Sequence, residues 1–176
     1  MRAIWTRLAP GIAALALALA SGSVSAQFSS VKCSPSGDFV TGGGFIITPD
    51  PNTGAHANFG VAGGCKNGFL WGHLEYVDHN TSPPLRVHGT EVLEYFADEF
   101  DPNTRWIFGR AEFNGVSGFT YCVGVTDNGE GASASPDTFL IQLSNGYIAS
   151  GSLMGGNIQL HKPNQSTPKS LGCIGA

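Results

Sequence analysis

Charge is scarce in this 176-residue sequence, and basic charge is the scarcer sign: nine Lys and Arg stand against thirteen Asp and Glu. Two of the nine, Arg2 and Arg7, lie at the amino terminus ahead of an apolar run. Without them, seven basic against thirteen acidic side chains leave a net charge of −6. That sign excludes nucleic acid as a partner, because phosphates are bound by Lys and Arg. It argues equally against an anionic membrane surface. Long hydrophobic runs are missing too. The apolar stretch at 12–20 (IAALALALA) falls well short of the roughly 20 residues that a membrane-crossing helix needs, so no membrane insertion is expected. There is no G-x-S-x-G, no H-E-x-x-H and no phosphate loop, which removes the common hydrolase, zincin and nucleotide templates. No two cysteines have the C-x-x-C spacing of zinc or redox sites. A helical period of useful length is absent as well.

What is present begins with a secretory signal over residues 1–26. Arg2 and Arg7 supply the basic start, 12–20 the short apolar core, and Val24-Ser25-Ala26 the small residues of a cleavage site. The mature chain is expected to start near Gln27 and to be secreted, in the periplasm or outside the cell. About 150 residues then remain, the usual size of one domain with a core of its own. The expected layout is a lead at 27–37 carrying Cys33, a β-domain at 38–162, and a tail at 163–176 tied down by Cys173.

Glycine is abundant, with 25 residues, and turn signals recur about every ten residues between aromatic and β-branched runs. This predicts an all-β fold with strands near 38–48, 56–64, 69–79, 85–95, 104–113, 116–127, 137–144 and 147–161. Short connections make it an antiparallel up-and-down meander, closed as a barrel or folded as a two-sheet sandwich, the barrel being favoured. Asn114-Gly115 and Asn145-Gly146 suit two-residue type I′ hairpin turns. With Phe113 opposite Val116, Trp106 would oppose Val123 and Phe108 would oppose Tyr121 on the core face, and Ile107 would oppose Cys122 on the other.

All four cysteines lie in the mature part, and an even number in an exported chain reads as two disulfides. In a meander the start of the first strand and the end of the second share one end, which favours Cys33–Cys65 and leaves Cys122–Cys173. The rival set is Cys33–Cys173 with Cys65–Cys122.

Three groups of residues carry the chemistry that the sequence offers. The first lies in GHLEYVDH (72–79). His73, Glu75 and His79 share one strand face, but His73 and Glu75 are about 7 Å apart and His79 about 13 Å further on, too far for one metal ion. A five-residue loop at 80–84 would set Asp78 opposite Arg86 and Tyr76 opposite His88. His73 and Glu75, with Glu91 from the next strand, are then the candidates for a catalytic pocket acting on an extracellular polymer. The second is DNGEGASASPD (127–137), where Asp127, Asn128, Glu130 and Asp137 offer oxygen ligands for calcium; otherwise no cofactor is expected. The third is aromatic. Trp71 and Tyr147 are the ligand-binding candidates, as flat rings able to stack on sugars.

Several runs, in order, resemble one family: VTGGGFI (40–46), HANFGVAGGCKNG (56–68), WGHLEYVDH (71–79), VHGTEV (87–92), VTDNGE (125–130), DTFLIQLSNGY (137–147) and GGNIQLHKPN (155–164). They are similar to the post-COAP family of exported bacterial β-domains, over nearly the whole mature chain. Two departures stand out: GASASP (131–136) is longer than expected after the DNGE turn, and Cys122 lies one strand later than the third cysteine expected of the family. The resemblance implies a secreted or surface protein and brings no catalytic residues or ligand with it. The expected role is a non-enzymatic binding or envelope-associated protein with a carbohydrate or cell-envelope partner, and the alternative is a hydrolase or lyase.

Overall fold

The computed structural model describes residues 37–48, 55–66, 69–131 and 134–161. All eight expected strands form: β1 (Phe39–Ile47), β2 (His56–Lys66), β3 (Phe69–Asp78), β4 (Leu85–Ala97), β5 (Thr104–Phe113), β6 (Val116–Thr126), β7 (Thr138–Leu143) and β8 (Ile148–His161). Each pairs antiparallel with the next, and β1 also pairs with β8, so the sheet closes as a barrel. The signal at 1–26, the lead up to residue 36 with Cys33, and the tail with Cys173 lie outside the described residues.

An eight-stranded barrel has an interior just wide enough for side chains to fill. Here Ile46, Leu74, Ile107, Ile141, Leu143 and Ile158, with four tyrosines and phenylalanines among them, are fully buried inside. Large residues face glycines across the core: a side chain at Gly63 would strike Ile107, and one at Gly109 would strike the ring of Tyr121. The interior is therefore a packed core rather than a pore.

The two Asn-Gly turns differ. Asn114 (φ 50°) and Gly115 (φ 79°) both take positive φ, as a type I′ turn requires. At the second, only Gly146 does (φ 91°), Leu143 N–H donates to Tyr147 C=O and Gly146 N–H to Leu143 C=O. That is a three-residue loop ending in one left-handed glycine, not the expected two-residue turn.

Bulges correct the expected registers. Phe113 does oppose Val116, but the register shifts between Ala111 and Phe113, so Ile107 opposes Val123, Gly109 opposes Tyr121 and Phe108 opposes Cys122. One extra residue exchanges the two faces. Trp106 and Phe108 therefore face outward, and Ile107 lines the core. β4 carries two further shifts, between Gly89 and Glu91 and between Val92 and Glu94. The β3–β4 register is also one residue off expectation: Asp78 opposes Leu85, Val77 opposes Arg86, Tyr76 opposes Val87 and Glu75 opposes His88. This seam is short. β3 pairs with β2 from Ala57↔Asp78 to Lys66↔Phe69, but with β4 only from Glu75↔His88 to Asp78↔Leu85.

The expected Cys122–Cys173 bond is corrected: Cys122 is a free thiol. It lies on the outer wall in mid-strand, the non-core face on which it was expected, beside Phe96 and Trp106, rather than at a mouth where a chain end could reach it. The same observation removes Cys65–Cys122. Cys65 is buried at the end of β2, at the mouth where β1 begins, which is where the Cys33–Cys65 pairing needs it; Cys33 lies outside the described residues.

Candidate functional site

The barrel has two mouths, each closed by a polar cluster built on an aspartate. At the first, Asp38 precedes β1 and receives Arg105 of β5 through Nη2–H to Oδ2 (2.6 Å) and Nε–H to both oxygens (3.3 and 3.2 Å). Tyr95 Oη–H donates to Asp38 Oδ1 (2.7 Å), and Arg105 Nη1 donates to the carbonyls of Pro102 and Thr104. Burial works to lower the Arg105 pKa, but the hydrogen bond and charge of Asp38 outweigh it and the net shift is upward. Burial, then the Asp38 charge, drive the Tyr95 hydroxyl far above its ordinary range. Over this mouth lies an open cleft of about 450 Å³ lined by Asn103, Asp127, Asn128 and His161 beside the ion pair.

At the second mouth, Asp78 receives no cation among the described residues. Its donors are Tyr147 Oη–H to Oδ2 (2.7 Å), Asn80 Nδ2–H (2.7 Å) and Asn80 N–H (2.9 Å) to Oδ1. Tyr76 and Tyr147 share a hydroxyl contact of 2.6 Å, and Asn80 reaches on to Thr48. Burial raises both tyrosine pKa values well above the usual phenol range.

The sequence candidates are distributed otherwise. His73 and Glu75 point outward on β3, both exposed. Glu75 Oε1 meets His88 Nδ1 at 2.5 Å, and Glu91 Oε2 meets Arg110 Nε at 3.1 Å, both as exposed surface pairs. Each carboxylate is engaged with its own neighbour on a convex wall, so His73, Glu75 and Glu91 are not brought together into a pocket. Among the described residues no three His, Cys, Asp or Glu side chains lie close enough to hold a metal ion.

In the 127–137 loop, backbone donors occupy the carboxylates of Asp127 and Asp137 that were offered for calcium. Asp127 accepts from Gly129 N–H (2.9 Å) and Leu160 N–H (2.7 Å), and Asp137 from Asn128 N–H (2.9 Å) and Ile158 N–H (2.7 Å). Glu130 accepts from Asn157 Nδ2–H (2.9 Å), and Asn128 Nδ2–H donates to the Pro136 carbonyl (2.8 Å). These residues fasten the loop to β8.

Of the two aromatic candidates, Tyr147 is a mouth residue whose hydroxyl is committed to Asp78 and Tyr76. Trp71 lies on the outer wall and belongs to a ridge that runs across neighbouring strands. His161 of β8 stacks on Phe39 of β1 (4.3 Å, 11°), and Phe39 tilts against Trp71 of β3 (5.8 Å, 55°) across Gly64 of β2. His161 Nε2 is held by Thr41 Oγ1 at 2.8 Å, Phe69 stands 76% exposed at the start of the same strand as Trp71, and Trp71 Nε1 is buried with no hydrogen-bond partner among the described residues. Phe39 and His161 went unnoticed in the sequence because their ridge joins the first and last strands. Only closure of the barrel makes those neighbours.

A second aromatic cluster occupies the β4–β5 outer wall. Phe96, Phe100 and Trp106 line a cleft of about 450 Å³ with Ala97, Asp98, Glu99 and Cys122. Trp106 Nε1–H donates to Asp98 Oδ2 (2.8 Å). That bond, then the N–H groups of Phe100 and Asp101, hold the Asp98 carboxyl below the usual carboxylate range. Burial, then the charge of Glu94, push the Cys122 thiol up to about 11. Bulged registers hid this cluster, since simple alternation turns Trp106 inward. Comparison with family models, curated proteins and solved structures returns no match for the chain.

Proposed function

We propose that this protein is an exported, non-enzymatic binding module whose ligand is a polymer of the cell envelope or its surroundings, with carbohydrate the favoured class. The observation that carries the reading is the ridge of His161, Phe39 and Trp71, extended by exposed Phe69. Four strands at the usual spacing of about 4.8 Å make such a row about 14 Å long, enough to contact more than one sugar ring. Aromatic surface with a polar edge, here the His161 imidazole, suits sugars, whose faces are apolar and whose rims are hydroxylated. The packed interior and the separately paired Glu75 and Glu91 support binding over turnover. The signal pattern at 1–26 and the resemblance to exported bacterial β-domains agree with it.

The test is co-sedimentation of the purified mature chain with insoluble cell-wall and polysaccharide preparations, with release of reducing ends or unsaturated products followed in the same tubes. Retention on one polymer, lost at least about tenfold in Trp71→Ala with the fold intact, is the expected result. Product release abolished by Glu75→Gln or Glu91→Gln would establish the hydrolase or lyase alternative instead.

A further inference from the structure

The cleft on the β4–β5 wall has a composition that points to a ligand of a different class. Its aromatic residues come from a strand end, a loop and a neighbouring strand, and none of the three rings packs on another among the described residues. Phe100 is 90% exposed. Phe96 is only 8% exposed, so the apolar faces left in water are those of Phe100 and of half-buried Trp106, which a soluble domain does not ordinarily retain without use.

Trp106 is held in place from two sides. A side chain at Gly124 would strike the six-membered ring of the indole, so that ring lies directly on the β6 backbone. The Nε1–H bond to Asp98 fixes the indole edge. One face is thus covered and the other is left toward the cleft. The rim is of one sign: Asp98 and Glu99 line the cleft, Glu94 acts on the adjoining Cys122, and no Lys, Arg or His is among the lining residues. Asp98 is itself fixed by Phe100 N–H (2.8 Å) and Asp101 N–H (3.0 Å), so the carboxylate, the exposed ring and the indole form one braced unit.

Aromatic faces attract cations through their quadrupole, and do so best where the cation is poorly hydrated. A metal ion would demand oxygen ligands at short range, whereas these walls are carbon and the carboxylates stand at the edge. We infer that the Phe96–Phe100–Trp106 cleft binds a small soluble alkylated ammonium ion, the cation seated against the rings and its charge answered by Asp98 and Glu99. The site lies on a different wall from the Trp71 ridge, and the inference stands independently of polymer binding.

The probe is tetramethylammonium chloride titrated into the isotopically labelled mature chain, followed by the Trp106 indole N–H and the Phe100 and Cys122 amides. Sodium chloride at matched ionic strength and tert-butanol, the neutral counterpart of the probe, are the controls. Saturable shifts confined to these signals, with a dissociation constant in the millimolar range or tighter and at least about fivefold preference over tert-butanol, are expected. Glu99→Gln, an exposed change that leaves the fold alone, should weaken binding about two- to fivefold, and Trp106→Ala about tenfold or more. Equal response to tert-butanol, or no saturation by about 100 mM, overturns the proposal. So does binding that Glu99→Gln and Trp106→Ala both leave unchanged.

Discussion

The two mouths of the barrel bury an aspartate equally well and stabilise it differently. Asp38 is 7% exposed and meets a guanidinium; Asp78 is 5% exposed and, among the described residues, meets only neutral donors, two from Asn80 and one from Tyr147. A buried carboxylate tolerates either solution, since an opposite charge and convergent hydrogen bonds both favour the ionised form. The consequences for loss of a partner are unequal. An ion pair leaves a stranded charge behind, whereas a hydrogen-bonded cluster leaves polar groups that relax toward water at the open mouth.

Breaking the charged mouth should have the largest effect. Asp38→Ala leaves Arg105 buried without its counter-ion and is expected to cost about 3–5 kcal/mol in denaturant unfolding. The double change Asp38→Ala with Arg105→Met should recover most of that loss. If it is no more stable than the single variant, the cost lies in packing rather than in the stranded charge.

The tyrosines sharpen the comparison through pH. All four in the chain, Tyr76, Tyr95, Tyr121 and Tyr147, have raised pKa values, burial being the leading cause in each. The unfolded phenol titrates near pH 10, below the folded value. Their stabilising contribution is therefore complete below about pH 10 and is lost as pH climbs from there through the folded values. Phenolate absorbance should emerge only together with unfolding. Tyr76→Phe with Tyr147→Phe removes two of the four titrations and should flatten the alkaline fall more than Tyr95→Phe, which removes one. Phenolate signal from a still-folded protein near pH 10 would contradict this.

Tyr121 gives the smallest expected effect and serves as a reference between the mouths. Its ring is fully buried, and its hydroxyl has no partner among the described residues, unlike those of the other three. Tyr121→Phe removes an unsatisfied polar group and should change stability by no more than about 1 kcal/mol, in the stabilising direction. Thermal unfolding of the single variant decides it.

The strand plan was legible because glycine, asparagine and proline mark the turns, and local backbone chemistry needs no knowledge of the fold. Asn114-Gly115 is the plainest case, with both residues at positive φ. Faces were less legible. Alternation holds along β3, where Leu74, Tyr76 and Asp78 do turn inward. It fails along β4 at its two bulges, and β5, which alternates regularly, is turned over by the extra residue on β6, because a bulge is a property of a paired strand and leaves no mark in one strand read alone. Trp106, Phe108 and Ile107 take the opposite faces from those expected for that one reason. Pairs such as Asp38 with Arg105, or Phe39 with His161, join residues far apart in the chain, and only barrel closure brings them together.

The short β3–β4 ladder has a consequence for how the molecule fails. Local opening follows the fewest cross-strand bonds, and here that means parting β3 from β4 while the remaining pairings hold. The product is a curved eight-stranded sheet with two free edges. Bare edges are what recruit other chains into fibrils, yet β4 is kinked by two bulges and its edge is not a flat template. The shortest ladder of the barrel thus borders its most bulged strand, and an opening there bares on the β4 side an edge poorly shaped to pair with another chain.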